Sequence, residues 1–192
     1  VQTCALPISP TAAHEKLLDE AAKIAGKGQY RIYASKSEDA KSNPICFSEK
    51  VKFIRKMFPR HARAVMADAD ISNPLTMCSK LYEQGFTKVT LIVGQDKLAE
   101  TTALMSTYNG RTLVEGGFFN FQNGVRVISS SEIDPDAAAS RKLCESASAN
   151  DLEVFSKSLP ATFSETKELF NAVRSGMGLK ESKSFRKHIQ QI

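Results

Sequence analysis

The sequence predicts an α/β fold, a parallel sheet with helices on both faces followed by a helical C-terminal extension. Three observations carry that prediction. Short extended runs at 30–34, 62–66 and 88–93 alternate with stretches of helical period, and each crossover is long enough to hold a helix. The run Val89-Thr90-Leu91-Ile92-Val93 is continuously apolar or β-branched, as a strand covered on both faces requires. Beyond residue 137 no strand-like run remains, and Leu143, Leu152, Phe155, Phe163, Leu169, Phe170 and Val173 supply apolar helical faces.

Taken in order, Pro10-Thr11 opens the first helix, in which Leu17, Leu18, Ala21, Ile24 and Ala25 share one face until Gly26 and Gly28 end it. Residues 30–34 form a strand, and a loop rich in Ser, Asp, Lys and Asn runs to Pro44. Ser48 is placed to cap a second helix with Val51, Ile54 and Phe58 inward, which Pro59 stops. Residues 62–66 read as a short strand. Asn73-Pro74 opens a third helix that Gly85 closes, 88–93 is the buried strand, and Asp96 starts a fourth helix ending at Asn109-Gly110. Residues 118–121 and 125–129 are strand-like, with Asn123-Gly124 making a hairpin or a simple turn between them.

Composition agrees with this reading. A chain of 192 residues with 42% hydrophobic and 24% charged residues suits one domain with an appendage and excludes collagen-like, disordered and membrane-spanning classes. Cys4, Cys46, Cys78 and Cys144 form no C-x-x-C pair, which argues against zinc and for reduced thiols in a cytoplasmic protein. The net charge of +5 is concentrated. Lys50, Lys52, Arg55, Lys56, Arg60 and Arg63 form one zone without an acid, and the tail from Arg174 holds a second. Such zones suit either phosphate or nucleic-acid contact, or solvated helix faces. No aromatic stacking motif accompanies them, so nucleic acid is not the expected partner.

Residues 1–8, Val-Gln-Thr-Cys-Ala-Leu-Pro-Ile, carry no charge and lack the basic start of a signal peptide. They equal the translation of GTTCAGACGTGTGCTCTTCCGATC, the end of a widely used sequencing adaptor. The expected organisation is therefore a non-native segment at 1–8, an α/β domain at 9–137 and C-terminal helices with a basic tail at 138–192. The native first strand is then expected in a lost segment before Ser9. Sequencing the intact locus tests this.

Ligands of parallel α/β sheets bind beyond the carboxyl ends of the strands. The notable residues fall there. Ser9-Pro10-Thr11-Ala12-Ala13-His14 resembles the N-P-x-T-x-G-H start of the nucleotidyltransferases that carry the HxGH-type signature. Residues 33–37 (Tyr-Ala-Ser-Lys-Ser), 50–53, 57–59, 82–89 and 169–179 are similar to a phage-encoded group of nucleotidyltransferase-like proteins, in order over residues 10–188. The resemblance implies a Rossmann-like fold and transfer of a nucleotidyl group from ATP or CTP, with Mg²⁺, to a phosphorylated or alcoholic small-molecule acceptor, in the cytoplasm of an infected host cell. No protein metal ligand is expected.

In that reading His14, in a first helical turn whose N–H groups and dipole favour phosphate, stabilises charge on the departing pyrophosphate, and Thr11 contacts phosphate. Ala13 lies against the nucleotide. Gly94 and Asp96 match the family's G-x-D after a central strand, the glycine for close approach and the carboxylate for a ribose or substrate hydroxyl; Asp96 equally suits a helix cap. Lys36 can reach a phosphate from its loop, or stay solvated. The family's S-x-[ST]-x-x-R stretch corresponds to Ala139-Ser140-Arg141-Lys142-Leu143-Cys144, so Ser140, with Arg141 or Lys142 in place of the arginine, would meet the triphosphate.

The departures also matter. Cys144 stands where the arginine belongs, Ile133 where relatives tend to have arginine, Ala13 replaces glycine, and the loop at Asp134-Pro135-Asp136 is short. These leave a second expectation open: a catalytically degenerate, nucleotide-binding or virion-associated relative.

Overall fold

Ile32 and Ala34 face one side of their strand and Tyr33 the other, and this two-residue period organises the molecule. A computed structural model describes residues 2–6, 12–26, 29–41, 43–71, 73–114, 117–129 and 137–179, with the backbone alone for 2–6, 13, 96 and 137–140. The chain runs β1 (Gln2–Leu6), α1 (Ala12–Ala25), β2 (Tyr30–Ala34), α2 (Phe47–Met57), a 3₁₀ turn (Pro59–Ala64) and β3 (Val65–Met66). It continues with α3 (Pro74–Glu83), β4 (Val89–Val93), a 3₁₀ turn (Gln95–Lys97), α4 (Leu98–Tyr108), β5 (Val125–Ser129), α5 (Ala137–Ser148), α6 (Leu152–Lys157) and α7 (Thr166–Gly176).

The strands form one parallel sheet in the order β3-β2-β1-β4-β5. Its middle strand is β1, with Cys4 level with Ile32 on one side and Ile92 on the other. The centre of the sheet is thus occupied by Gln2–Leu6, within the segment read above as non-native. Strand pairing uses backbone groups that every residue but proline carries, so five extended residues suffice to bridge β2 and β4.

The core divides at the sheet. On one face Ile32, Ala34 and Ile92 meet Leu17, Leu18 and Ala21 of α1, Val51, Phe53, Ile54 and Met57 of α2, and the inner sides of α5, α6 and α7. On the other, Tyr33, Val89 and Leu91 meet Met77, Cys78 and Leu81 of α3, Met105 of α4, and Phe119 and Phe121. Helices therefore cover both faces. Each fully buried aliphatic or aromatic side chain contributes about 1.5–3 kcal/mol, so neither face is dispensable. Among the described residues no helix is long and apolar enough to cross a membrane.

Three local expectations are corrected. Ser48 does not cap α2: the cap position is Cys46, and the Phe47 N–H is satisfied by the Glu38 carboxylate from the preceding loop. Residues 59–64 are a 3₁₀ turn and only Val65–Met66 is strand, because Pro59 presets a helical φ and His61 N–H reaches Phe58 O. Residues 118–121 pair with no strand. Asn109 instead holds Phe121 by both backbone groups, and Gly124, at φ +70°, turns the chain into β5 without a hairpin. By contrast Asn73 caps α3 as expected, accepting from Leu75 and Thr76 N–H while Thr76 Oγ1 accepts from Asn73 N–H.

Candidate functional site

Parallel pairing puts the carboxyl ends of all five strands on one edge. There the chain leaves β1 towards β2 and leaves β4 towards β5, although β1 and β4 are neighbours. A crevice between the two departing segments is the place where such sheets take ligands. After β1 the described chain resumes in α1, with His14 in its first turn, and after β4 it continues through Gly94 to Lys97.

His14 sits in the first turn of α1 on the same face as Leu17, Leu18 and Ala21, and is 0% exposed. The helix end is also engaged: Ala12 N–H donates to the carbonyl of Ser158, the C-cap residue of α6, at 3.1 Å. A carbonyl aimed at a helix N-terminus satisfies one donor that an anion would otherwise use. Thr11 lies outside the described residues, and of Ala13 only the helical backbone is described.

Gly94 has φ −62° and ψ 153°, an extended conformation open to any residue, so its value at this edge is the absence of a side chain. The cap position of the 3₁₀ turn is Gly94 and that of α4 is Lys97; Asp96 holds neither.

The loop after β2 carries Lys36, which is exposed. Beneath it lies a residue that the sequence reading counted among the surface cations. Lys50 is 2% exposed, and its Nζ donates to Ser35 O at 3.0 Å and Ser37 O at 2.6 Å. Burial pushes its pKa below the ordinary lysine value, opposed by the Glu38 carboxylate. The signal was present in the helical period, since Lys50 is four residues before Ile54 and seven before Met57, on the inner face of α2.

Of the remaining positions, Arg141 and Lys142 are exposed on α5 and Ser140 contributes helical backbone. Residues 130–136, including Ile133 and Asp134-Pro135-Asp136, lie outside the described residues. Cys144 is 3% exposed, and burial, with Glu145 and Asp39 nearby, pushes its thiol up to about 11. It is an inert core thiol, not a surface position awaiting a guanidinium.

The basic zone on α2 is largely spent within the fold. Besides buried Lys50, Lys56 pairs with Glu165, Arg60 pairs with Asp19, and Arg55 donates to Val65 O. In the tail zone Arg174 donates to Ala147 O, and residues 180–192 lie outside the described residues.

No protein-family model, curated protein or solved structure matches the chain. Among the described residues no cluster of three or more His, Cys, Asp or Glu is arranged to hold a metal. A cavity of about 200 Å³ lined by Asn73, Leu75, Thr76, Tyr108, Leu113 and Val114 contains none of the residues named for nucleotide chemistry.

Proposed function

We propose that this chain is a Rossmann-like nucleotidyltransferase, cytoplasmic and phage-encoded, that moves an adenylyl or cytidylyl group from a nucleoside triphosphate to a phosphorylated or alcoholic small molecule. The observation that supports it best is the strand order β3-β2-β1-β4-β5, in which β1, followed by α1 with His14, and β4, followed by Gly94 and Asp96, are neighbours. The acceptor oxygen attacks the α-phosphorus in line and the bond to the β-phosphate oxygen breaks. Pyrophosphate leaves, and the acceptor's proton passes to solvent.

In this reading His14, with the N–H groups of the first turn of α1, steadies charge on the leaving pyrophosphate. Thr11 and Lys36 contact phosphate, and Ala13 lies against the nucleotide. Asp96 orients a hydroxyl, Gly94 admits close approach, and Ser140, Arg141 or Lys142 meets the triphosphate from α5. Magnesium would enter as a companion of the triphosphate, held by its phosphates, with no protein ligand assigned to it. Its chemistry would be charge neutralisation on the phosphates.

The test is pyrophosphate release across nucleoside triphosphates and phosphorylated acceptors. Turnover with one pair, reduced about a hundred-fold in His14→Ala, supports the proposal. No release with any pair, together with no effect of His14→Ala on triphosphate binding, sinks it.

A second reading, a nucleotide-binding or virion-associated relative without turnover, is favoured by the burial of His14 and by Cys144 in the arginine's place. A 0% exposed imidazole offers no surface to a triphosphate in this conformation. Saturable triphosphate binding with no pyrophosphate release would select this reading.

A further inference from the structure

A lysine in a core must justify its desolvation, because an apolar side chain of similar volume would commonly serve stability as well or better. Lys50 lies on the inner face of α2 at 2% exposure, and both of its acceptors belong to a single loop. Those acceptors are the carbonyls of Ser35 and Ser37, the residues on either side of Lys36.

The rest of the loop is tied in the same inward direction. Asn43, itself 2% exposed, donates through Nδ2 to Ser37 O and to Ser37 Oγ, while Asp39 and Asn43 exchange backbone hydrogen bonds of 2.9 and 2.7 Å. Ser37 N–H donates to Ser35 Oγ, bending the chain around Lys36. The loop exit is pressed by α7: a Cβ at Gly176 would lie 1.8 Å from Pro44 O, so only glycine permits this approach. Lys36, at the bend itself, is exposed and its side chain forms no hydrogen bond or ion pair among the described residues; Lys41, the other exposed lysine of the loop, lies nearer its exit.

We infer that Lys50 is a positioning residue for Lys36: its ammonium, bonded to the carbonyls on both sides of Lys36, holds the loop after β2 in the shape that presents Lys36 to phosphate. The inference rests on the nucleotide reading in one respect, that Lys36 meets the triphosphate. Lys50 itself touches no ligand. A loop clamped from below loses little conformational freedom when phosphate binds, so affinity is gained by preorganisation.

The experiment compares wild type with Lys36→Ala, Lys50→Met, Lys50→Arg and the double variant Lys36→Ala/Lys50→Met. Binding of inorganic tripolyphosphate with magnesium is measured by calorimetry, and amide exchange is followed across residues 35–43. Methionine keeps the buried stem and removes the ammonium. Lys50→Met is expected to speed exchange in 35–43 while leaving β4 unchanged. It should weaken tripolyphosphate about ten-fold, as Lys36→Ala does, the scale of one charge-assisted contact. The double variant should bind no more weakly than Lys36→Ala, and Lys50→Arg should retain most of the affinity.

Lys36→Ala weakening binding while Lys50→Met does not would overturn the inference and leave the nucleotide reading standing. So would losses that add in the double variant. If wild type fails to bind, or Lys36→Ala binds as wild type does, the phosphate role of Lys36 falls and the inference falls with it. Should Lys50→Met not fold, Asn43→Ala takes its place: a loss of about three-fold that vanishes in the Lys36→Ala background supports the inference, and unchanged binding overturns it.

Discussion

Single side chains in this molecule are read most sharply where burial and chemistry disagree. Cys144→Arg, which would supply the guanidinium that the nucleotidyltransferase resemblance calls for, places a cation at a 3% exposed position. Burying an unpaired charge typically costs several kcal/mol, so the expected outcome is a loss of about 3 kcal/mol or more in urea unfolding, not a gain in nucleotide affinity. The thiols divide in the same way. Burial pushes Cys78 up to about 12 and Cys144 to about 11, whereas Cys46 is partly exposed. Iodoacetamide at pH 8 should therefore label Cys46 first among these three and the other two only after unfolding, as read by peptide mass spectrometry.

Asp68 gives the acid dependence of one contact. The hydrogen bond from Lys80 holds its carboxyl below the ordinary aspartate value, against a smaller effect of burial. A depressed pKa contributes stability that is complete above the ordinary value near 3.9 and is lost as pH falls through the folded one. Wild type should therefore exceed Asp68→Asn by up to about 1 kcal/mol at pH 7, a margin that shrinks as pH falls below the ordinary aspartate value, measured by denaturant titration. Lys50 shows why such residues escape sequence reading. Charge composition counts it with its neighbours at 52, 55 and 56; the helical period places it on the inner face, and only the carbonyls of a loop closed by tertiary contacts reveal what its ammonium meets.

Between elements, the contact of α7 with the loop after β2 is the most exacting. Gly176→Ala sets a methyl against Pro44 O, so either the helix or the loop must shift. A loss of about 1–3 kcal/mol is expected, with faster amide exchange at residues 43–45. The cap of α3 is the contrasting case, because Asn73 acts within its own turn. That cap was legible from Asn73-Pro74 alone, as were the bounds of β2 and the end of β4, which starts at Val89, one residue after the expected 88, since local chemistry decided them. The start of α2 was not, because the Glu38 carboxylate from another segment, not Ser48, meets its first N–H.

At the scale of the whole molecule, the C-terminal helices share one core with the sheet. Phe155, Phe163, Leu169, Phe170 and Val173 pack with α1, α2 and β2. A chain ending at residue 150 would expose that face and lose more apolar burial than a typical domain's net stability of about 5–15 kcal/mol. It should show no cooperative unfolding transition by circular dichroism. The basic zones also change meaning at this scale. Most of the α2 cations are committed to Glu165, Asp19 and backbone carbonyls, so the sequence total of +5 overstates the charge offered there to a polyanion.

The amino-acid sequence by itself determined the alternation of strands and helices, the parallel sense of the sheet and the helical C-terminal part. Period, caps and crossover length are properties of neighbouring residues. Only the tertiary structure decided that Gln2–Leu6 fills the centre of the sheet and that Ser158 meets the start of α1. It likewise decided that the Lys50 ammonium meets the carbonyls of Ser35 and Ser37. Burial and hydrogen-bond partnership depend on segments distant in sequence, and no local pattern records which of them arrive.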